Sequence, residues 1–177
     1  MNDESKQPQL LMRASLESLA PLDLPDDITI RSFCDGDEEA WSSIITSSFQ
    51  APYDFNKFMK TDPSYDPERV LFAHINGVPV ATASWYNTES FYGVDTGCLH
   101  MVGALPEYKG RKLGFLISLA VMHKIKDKGY TYVVLQTDDF RLAAIKTYIK
   151  LGFEIDLKFH ESMPMRWELV LNQMVGL

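Results

Sequence analysis

The chain has 177 residues and a formal net charge of −7, with 46% hydrophobic and 12% aromatic residues. This length predicts one domain, and this composition allows a full hydrophobic core. The acidic balance excludes a broad nucleic-acid-binding face, and no apolar run in the sequence approaches the roughly 18 residues of a membrane span. The two cysteines form no metal motif and the first nine residues are unlike a secretory signal, so we expect no metal and a cytoplasmic location.

Turn-forming residues divide the first half of the chain into a lead-in and a series of short elements. Residues 1–27 are predicted to form an N-terminal extension that packs on the domain and includes one short helix, and residues 28–177 to form the single domain. The elements predicted next, in chain order, are a strand over 28–33, a helix to about 49, a short helix over 54–59, and two strands, 69–75 and 78–86, joined by the hairpin turn Asn76-Gly77.

The second half of the chain predicts a strand–helix–strand–helix series followed by two strands. The predicted elements are a strand over 98–105, a helix over 111–128, a strand over 130–136, a helix over about 139–151, and strands over 153–159 and 165–171. The order indicates a mixed α/β domain in which an antiparallel meander leads into a βαβ unit. It differs from the regular alternation of a doubly wound fold and lacks the acidic residue of a dinucleotide site.

The most informative stretch of the sequence is a glycine-bearing turn, residues 106–114, between a predicted strand and a predicted helix. The first N–H groups of a helix have no intrahelical partner and lie at the positive end of its dipole, so they attract anions. Gly110 allows the backbone to approach a ligand closely, and Lys109, Arg111 and Lys112 add positive charge. On its own, this pattern fits a phosphate site and an ordinary strand-to-helix turn equally well.

Two motifs in the right order resemble the GNAT superfamily of N-acetyltransferases. The first is the run Lys-Gly-Arg-Lys-Leu-Gly at 109–114, with Pro106 and Tyr108 before it, and the second is Ala-Ile-Lys-Thr-Tyr-Ile-Lys-Leu-Gly-Phe at 144–153. The resemblance covers roughly residues 28–160. It implies the family's α/β fold, a central, mostly antiparallel, twisted sheet of six to seven strands flanked by about four helices.

The resemblance implies acetyl-CoA as the co-substrate and an amine, on a small molecule or a peptide, as the acceptor. The pyrophosphate is expected on the backbone N–H groups of 110–115, and the pantetheine arm along the strand, because an extended, amide-bearing arm can add to a strand edge. The residues implied to bind the cofactor are Val102, Gly103, Ala104, Lys109, Gly110, Arg111, Lys112, Leu113, Gly114, Phe115 and Arg141.

The sequence departs from the family pattern at four positions, two of them among the residues implied to bind the cofactor. Lys112 stands where the family usually has its first signature glycine, and a positive φ there would cost about 1 kcal/mol. Arg141 stands where many members have an asparagine. The positions at which many members carry a glutamate base correspond to Cys98 and Gln136, and neither is a normal base.

The resemblance implies direct attack of the amine on the thioester, with Tyr148 as the general acid that protonates the departing CoA sulfur. His100 is the candidate base, because it lies two residues from Cys98, on the same face of the strand, and has a useful pKa. A structural histidine is the other interpretation of His100. Glu89, Asp95 and water are further candidates for the base.

Several aromatic residues of the variable segments are candidates for the acceptor pocket. They are Phe49, Tyr53, Phe55, Trp85, Tyr86, Phe91 and Tyr92, at least half of which we expect in the core. The acidic charge balance favours a cationic amine without naming it.

The alternative function is a non-catalytic module that binds CoA or an acyl-CoA as a sensor or scaffold. We expect no nucleic-acid or membrane partner, and the resemblance leaves open a homodimer through the last strands, around residues 165–168.

Overall fold

The computed structural model describes residues 7–88 and 92–175, which form seven strands and five α-helices. The strands are β1 Leu10–Ser15, β2 Ile28–Ser32, β3 Val70–Ile75, β4 Val78–Asn87, β5 Thr96–Ala104, β6 Tyr132–Thr137 and β7 Glu154–Ile155. The helices are α1 Glu38–Phe49, α2 Phe55–Phe58, α3 Leu113–Asp127, α4 Leu142–Lys150 and α5 Met163–Val175. None of these helices in the described ranges has the length and apolarity needed to cross a bilayer.

The strands form one open sheet in the order β2-β3-β4-β5-β6-β1-β7. The pair β5 and β6 is parallel, and the other neighbouring pairs are antiparallel. Helix α3 provides the crossover between the two parallel strands, as parallel pairing requires. The predicted fold class, a mixed α/β domain with a mostly antiparallel sheet of six to seven strands, is confirmed.

Helices cover both faces of the sheet, so its central strands are buried on two sides. Leu71, Ala73 and Leu99 belong to the larger core cluster, together with α3. Val70 and Phe72, which alternate with them along β3, belong to a second cluster with α1 and α2. This alternation follows the period of two of a β-strand.

The hairpin turn between β3 and β4 and the start of α2 follow local signals of the sequence. Asn76 and Gly77 have φ of +50° and +82°, the positive values that a type I′ hairpin turn needs. The Asp54 carboxylate accepts a hydrogen bond from the backbone N–H of Lys57 at 2.9 Å and caps α2. Because these two signals depend on neighbours in sequence, they place the β3–β4 hairpin and α2.

The short helix predicted in the N-terminal extension is wrong, because residues 10–15 form β1. This strand pairs with β6 along its whole length, from Leu10 opposite Thr137 to Ser15 opposite Tyr132. Leu10 and Met12 are fully buried. A short, continuous apolar run is typical of a strand covered on both faces, and the run 10–12 fits that pattern.

The strand predicted over 165–171 is also wrong, because this segment lies in α5. The buried side chains of α5 are Met163, Arg166, Trp167 and Val170, which follow the helical period and not the alternation of a strand. The place beside β6 that a last strand could take is occupied by β1. The homodimer contact suggested around 165–168 requires a strand, so it loses its basis, and a homodimer stays a prediction.

The strand predicted over 153–159 is shorter in the structure. It is reduced to β7, two residues that pair with Met12 and Arg13 of β1. Asp156 ends it by accepting hydrogen bonds from the backbone N–H groups of Lys158 and Phe159, at 2.8 and 3.0 Å. Such an aspartate turn redirects the chain and stops the ladder.

Two methionines provide a matched test of the position of β1. We expect Met12→Ala to lower the free energy of unfolding by about 2–5 kcal/mol, the usual cost of truncating a fully buried methionine. Met165→Ala, the same change at a side chain with 65% exposure, should cost less than about 0.5 kcal/mol. Urea denaturation of both variants is the measurement. Equal, small effects would show that β1 does not lie inside the sheet.

Candidate active site

The sheet opens between its two parallel strands. β5 and β6 are paired only at Thr96, Cys98 and the residue between them, opposite 132–134. Beyond Cys98, β5 continues along β4, and β6 continues along β1 as far as Leu10. The edge of β5 that faces β6 is therefore left without a strand partner from residue 99 onward.

A bulge in β5 marks the start of this opening. Met101 has a φ of +48°, in the left-handed region, and the register between β4 and β5 shifts between Thr82 and Ser84. A bulge of this kind bends the strand and increases its twist. It turns the second half of β5 away from β6, so that a gap forms inside the sheet.

The gap holds a cavity of about 240 Å³, which we call the central cavity. Its lining combines the two strands, the end of α1 and the first turns of α4. The residues that line it are Gln9, Phe49, Tyr53, Tyr86, Cys98, Leu99, His100, Met101, Val102, Leu135, Gln136, Arg141 and Tyr148. Four residues predicted separately from the sequence, His100, Val102, Arg141 and Tyr148, therefore lie around one cavity.

The aromatic candidates for the acceptor pocket divide between the cavity and other places. Phe49, Tyr53 and Tyr86 line the central cavity. Phe55 and Trp85 are buried core residues. The other two lie in or beside the segment before β5: Tyr92 packs near Cys98, and Phe91 lies outside the described residues, as does the candidate base Glu89.

Tyr148 presents a buried phenol to the central cavity. Its ring packs edge-on against Phe153 with 5.9 Å between centroids. Burial raises the pKa of the Tyr148 hydroxyl to about 12, and the nearby Arg141 opposes that rise. The hydroxyl therefore stays protonated at any physiological pH and is able to donate a proton or a hydrogen bond.

His100 lies between the central cavity and a second, smaller space. Its ring meets the edge of the Tyr86 ring, with 5.1 Å between centroids. It also lines a side pocket of about 20 Å³, shared with Asp62 and Arg69, which has room for about one water molecule. Burial lowers the pKa of His100 to about 4, and the charge of Asp62 opposes that shift. The imidazole is therefore neutral at neutral pH.

The two positions at which the family often has a glutamate carry uncharged side chains here. Cys98 and Gln136 both line the central cavity. Tyr86 forms a side-chain hydrogen bond with Cys98, and burial raises the pKa of the Cys98 thiol to about 11. The thiol is thus protonated and a poor nucleophile. Asp95 directly precedes β5, and its backbone carbonyl accepts hydrogen bonds from the N–H groups of Thr131 and Tyr132.

The turn before α3 has the geometry of an anion site. Gly110 and Lys112 have φ of +89° and +56°, so Lys112 adopts the left-handed conformation that costs a lysine about 1 kcal/mol. The first intrahelical bond runs from the Leu116 N–H to the Lys112 carbonyl at 3.0 Å, which leaves the N–H groups of 113–115 without an acceptor in the helix. Apart from its chain neighbours and the adjoining backbone of α3, no atom lies within 4 Å of the place where a Cβ on Gly114 would be.

A pocket of about 270 Å³, the helix-end pocket, lies over this turn. Lys112, just before α3, lines it together with Gly114 and Phe115 of α3 and with Thr147 and Lys150 of α4. Two lysines and free N–H groups suit a phosphate. Arg111 is held elsewhere, in an ion pair with Asp27 at 2.7 Å.

The edge of β5 is partly covered by a residue that sequence reasoning missed. The Ala104 N–H donates to Ser48 Oγ at 2.9 Å, and the Ser48 hydroxyl lies 3.0 Å from the Ala104 carbonyl. Gly103 lies against the same residue, since a Cβ there would be 2.8 Å from Ser48 Oγ. No local signal marks Ser48 or Gln9, because their positions depend on contacts that are distant in sequence. Within the described residues, no group of three metal-ligating side chains is found.

The buried imidazole of His100 predicts a pH-dependent stability. Its pKa falls from about 6.5 in the unfolded chain to about 4 in the folded one, so only the unfolded chain takes up a proton between these values. The contribution of His100 to stability is complete above pH 6.5, and we expect it to fall by about 1.4 kcal/mol for each unit of pH between that value and about 4, below which the loss ends.

Urea denaturation at about pH 7 and about pH 5, with His100→Gln, measures this contribution. The variant should show the smaller loss of unfolding free energy between the two conditions. The same substitution at the exposed His160 is the control and should keep the wild-type loss. An identical loss in His100→Gln and the wild type would contradict the burial of the imidazole.

The comparisons with known sequences give acetyltransferases. A family model described as "Acetyltransferase (GNAT) family" matches residues 35–153. A mycothiol acetyltransferase from Arthrobacter sp. (strain FB24) is 28% identical over 155 residues, 82% of this chain and 48% of that protein. One from Thermobispora bispora is 30% identical over 154 residues, 80% of this chain and 52% of that protein. The chain thus spans about half the length of the curated relatives it matches.

Solved structures show the same fold. A GCN5-related N-acetyltransferase from Sphaerobacter thermophilus has a TM-score of 0.66 at 24% identity, covering 85% of this chain and 50% of that one. The ribosomal-protein-S18-alanine N-acetyltransferase from Escherichia coli has a TM-score of 0.60 at 22% identity, covering 72% of this chain and 77% of that one. Since the family model covers more than half of the residues, the chain belongs to the GNAT family of acetyltransferases.

Proposed function

We propose that this chain moves the acetyl group of acetyl-CoA directly to an amine in the central cavity, with Tyr148 as the general acid. GNAT acetyltransferases use acetyl-CoA as their co-substrate. The observation that carries the proposal is the buried, protonated phenol of Tyr148 in the gap between β5 and β6, where His100 and Val102 also lie. The curated relatives support acetyl transfer, but their acceptor is not assigned to this chain, which spans half their length.

The cofactor would lie across both pockets. Its pyrophosphate would accept hydrogen bonds from the N–H groups of 113–115, with Lys112 and Lys150 at its sides. The pantetheine arm would follow the free edge of β5 and pair with the backbone of Val102. Ala104 already bonds Ser48, so the arm reaches its backbone only by displacing that hydroxyl. In this arrangement, the backbone N–H groups and the lysines bind the phosphates. The edge of β5 positions the thioester through the pantetheine arm.

The reaction itself is a direct displacement. A neutral amine forms a C–N bond with the thioester carbon, and a backbone N–H of β5 stabilises the oxyanion that develops. The C–S bond then breaks, and the Tyr148 hydroxyl gives its proton to the departing sulfur. The amine loses one proton, and solvent returns one to Tyr148, so the protons balance.

His100 is the proposed first acceptor of the amine proton. Its imidazole is neutral and lies on the wall of the central cavity. Because burial lowers its pKa to about 4, it is a weaker base than the sequence led us to expect, and it would take a proton from the cationic amine formed after attack, not from a free ammonium. The side pocket gives the proton a way out, since Asp62 at its lining is exposed to solvent. Water inside the central cavity is the alternative base, and it needs no change to the role of Tyr148.

Tyr148→Phe tests the general acid. We expect kcat for CoA release from acetyl-CoA, with a panel of amines, to fall roughly 10²- to 10⁴-fold, while the Kd of acetyl-CoA changes little. Because burial raises the pKa of Tyr148 to about 12, wild-type kcat should not decline between about pH 8 and 10.

Tyr132→Phe, at an exposed position of β6, is the matched control and should keep the wild-type kcat. An unchanged kcat in Tyr148→Phe would remove the acid role. Binding of acetyl-CoA without turnover of any amine by the wild type would favour the non-catalytic sensor or scaffold instead.

Gly114→Ala separates cofactor binding from folding. Alanine is the better helix former, and its Cβ meets no side chain and no backbone outside the adjoining part of α3, so the free energy of unfolding should rise by up to about 1 kcal/mol. The added Cβ would occupy the space through which a phosphate approaches the helix N-terminus, so we expect a weaker Kd for acetyl-CoA by calorimetry.

Gly129→Ala is its counterpart, because Gly129 has a φ of +92° at the other end of α3. That variant should be less stable and should bind acetyl-CoA with the wild-type Kd. If Gly114→Ala also kept the wild-type Kd, the phosphates would not lie at this helix end.

A further inference from the structure

We infer that the acceptor carries a carboxylate close to its reactive amine, as a free amino acid does, and that Arg141 binds this carboxylate. The inference rests on the proposed acetyl transfer and identifies the class of the acceptor. Arg141 lines the central cavity from the residue before α4. A guanidinium holds a carboxylate through two parallel hydrogen bonds, and this fixes both its position and its direction.

The position of the guanidinium is set by an aromatic ring of the opposite wall. The Cζ atom of Arg141 lies 3.8 Å from the centroid of the Phe49 ring, at the end of α1. This cation–π contact brings the side chain across the cavity from α4 to α1. Because the flat face of the Arg141 guanidinium stacks on the ring, the N–H donors at the edge of the guanidinium plane stay available to a ligand in the cavity.

The acidic residues next to Arg141 in sequence bond to other partners. The Asp138 carboxylate accepts a hydrogen bond from Gln9 Nε2 at 2.9 Å. The Asp139 carboxylate is paired with Arg166 of α5, which also donates to the Pro8 carbonyl at 2.6 Å. Among the ion pairs of residues 7–88 and 92–175, none includes Arg141. Its charge is left for a ligand.

The other described residues on the cavity wall bring no charge to balance it. None of them is an aspartate or a glutamate. His100, Cys98 and Tyr148 are all neutral at pH 7, because burial shifts their pKa values away from it. A polyamine would bring further positive charge against the guanidinium, whereas an amino acid would place its carboxylate there. The positive charge inside the central cavity thus favours an amino acid over a polyamine as the acceptor.

The phosphates of the cofactor have their own site on another side of α4. Thr147 and Lys150 line the helix-end pocket, and Tyr148 and Arg141 line the central cavity. The residues that could bind phosphate, Lys112 and Lys150, do not line the central cavity. The pantetheine arm has no charge, so a full positive charge in the central cavity matches the acceptor better than the cofactor.

Binding with matched ligand pairs tests the inference without turnover. The protein, loaded with desulfo-CoA, is titrated by calorimetry with a panel of L-amino acids, each paired with its own carboxamide. We expect at least one acid to bind more tightly than its amide, and Arg141→Gln to weaken that acid roughly 10- to 100-fold. Arg141→Lys should recover part of the loss, because a lysine keeps the charge but not the fork.

Arg13→Gln is the control, because Arg13 lies in the same way on an aromatic ring, 4.1 Å from the Tyr132 centroid, away from the cavity. It should bind both ligands as the wild type does. Amides or polyamines that bind as tightly as the acids, or no amino acid bound at all, would overturn the inference. So would an Arg141→Gln variant that lowers affinity for acetyl-CoA alone, since Arg141 would then be a cofactor contact.

Steady-state kinetics with the same pairs separates this inference from the proposed function. The ratio of kcat/KM for acid over amide should fall toward one in Arg141→Gln. If no amine is acetylated, yet acids still bind through Arg141, then acetyl transfer is contradicted and the carboxylate site is kept. If amides are acetylated as well as acids, then transfer is kept and the carboxylate site is contradicted.

Discussion

The separation of β5 from β6 after Cys98 is the constraint on which the rest of the site depends. A continuous ladder would satisfy more backbone groups, so the gap persists only because both strands have other partners. The bulge at Met101 turns β5 along β4, and β1 holds β6 up to Thr137. The result is an unpaired strand edge beside a cavity, a place where a chain of amides can bind as an extra strand.

Helix α5 connects the strands beside the gap to the turn that carries Arg141. Arg166 of α5 bonds both the Pro8 carbonyl, just before β1, and Asp139, just before α4. One buried guanidinium therefore fixes the strand that keeps the gap open and the turn that carries Arg141. Because Asp139 is occupied by Arg166, the charge of Arg141 is directed at the cavity and not at its neighbour in sequence.

Features that depend on sequence neighbours could be predicted, and those that depend on competition between distant segments could not. The hairpin at Asn76-Gly77 follows from local turn sterics. The positive φ of Lys112 goes against the local preference of a lysine, so it was not predictable from sequence neighbours. The run 165–171 alternates like a strand, and the burial of Trp167 on a helix becomes clear only once β1 fills the place beside β6. Ser48, which bonds the backbone of Ala104, was not predictable for the same reason.

Among the described residues, the wall of the central cavity carries no carboxylate base, and burial shifts the pKa values of its other titratable groups. Enclosure raises the pKa of Tyr148 and Cys98 and lowers that of His100, so each stays neutral in the cavity. An acceptor ammonium that enters this space meets the same loss of solvation and the positive charge of Arg141, and both favour its neutral form. The amine would then lose its proton on entry, while solvent is still near. In the proposed reaction a strong base at the thioester is then unnecessary, and the protonated phenol of Tyr148 is the group that would supply a proton to the departing sulfur.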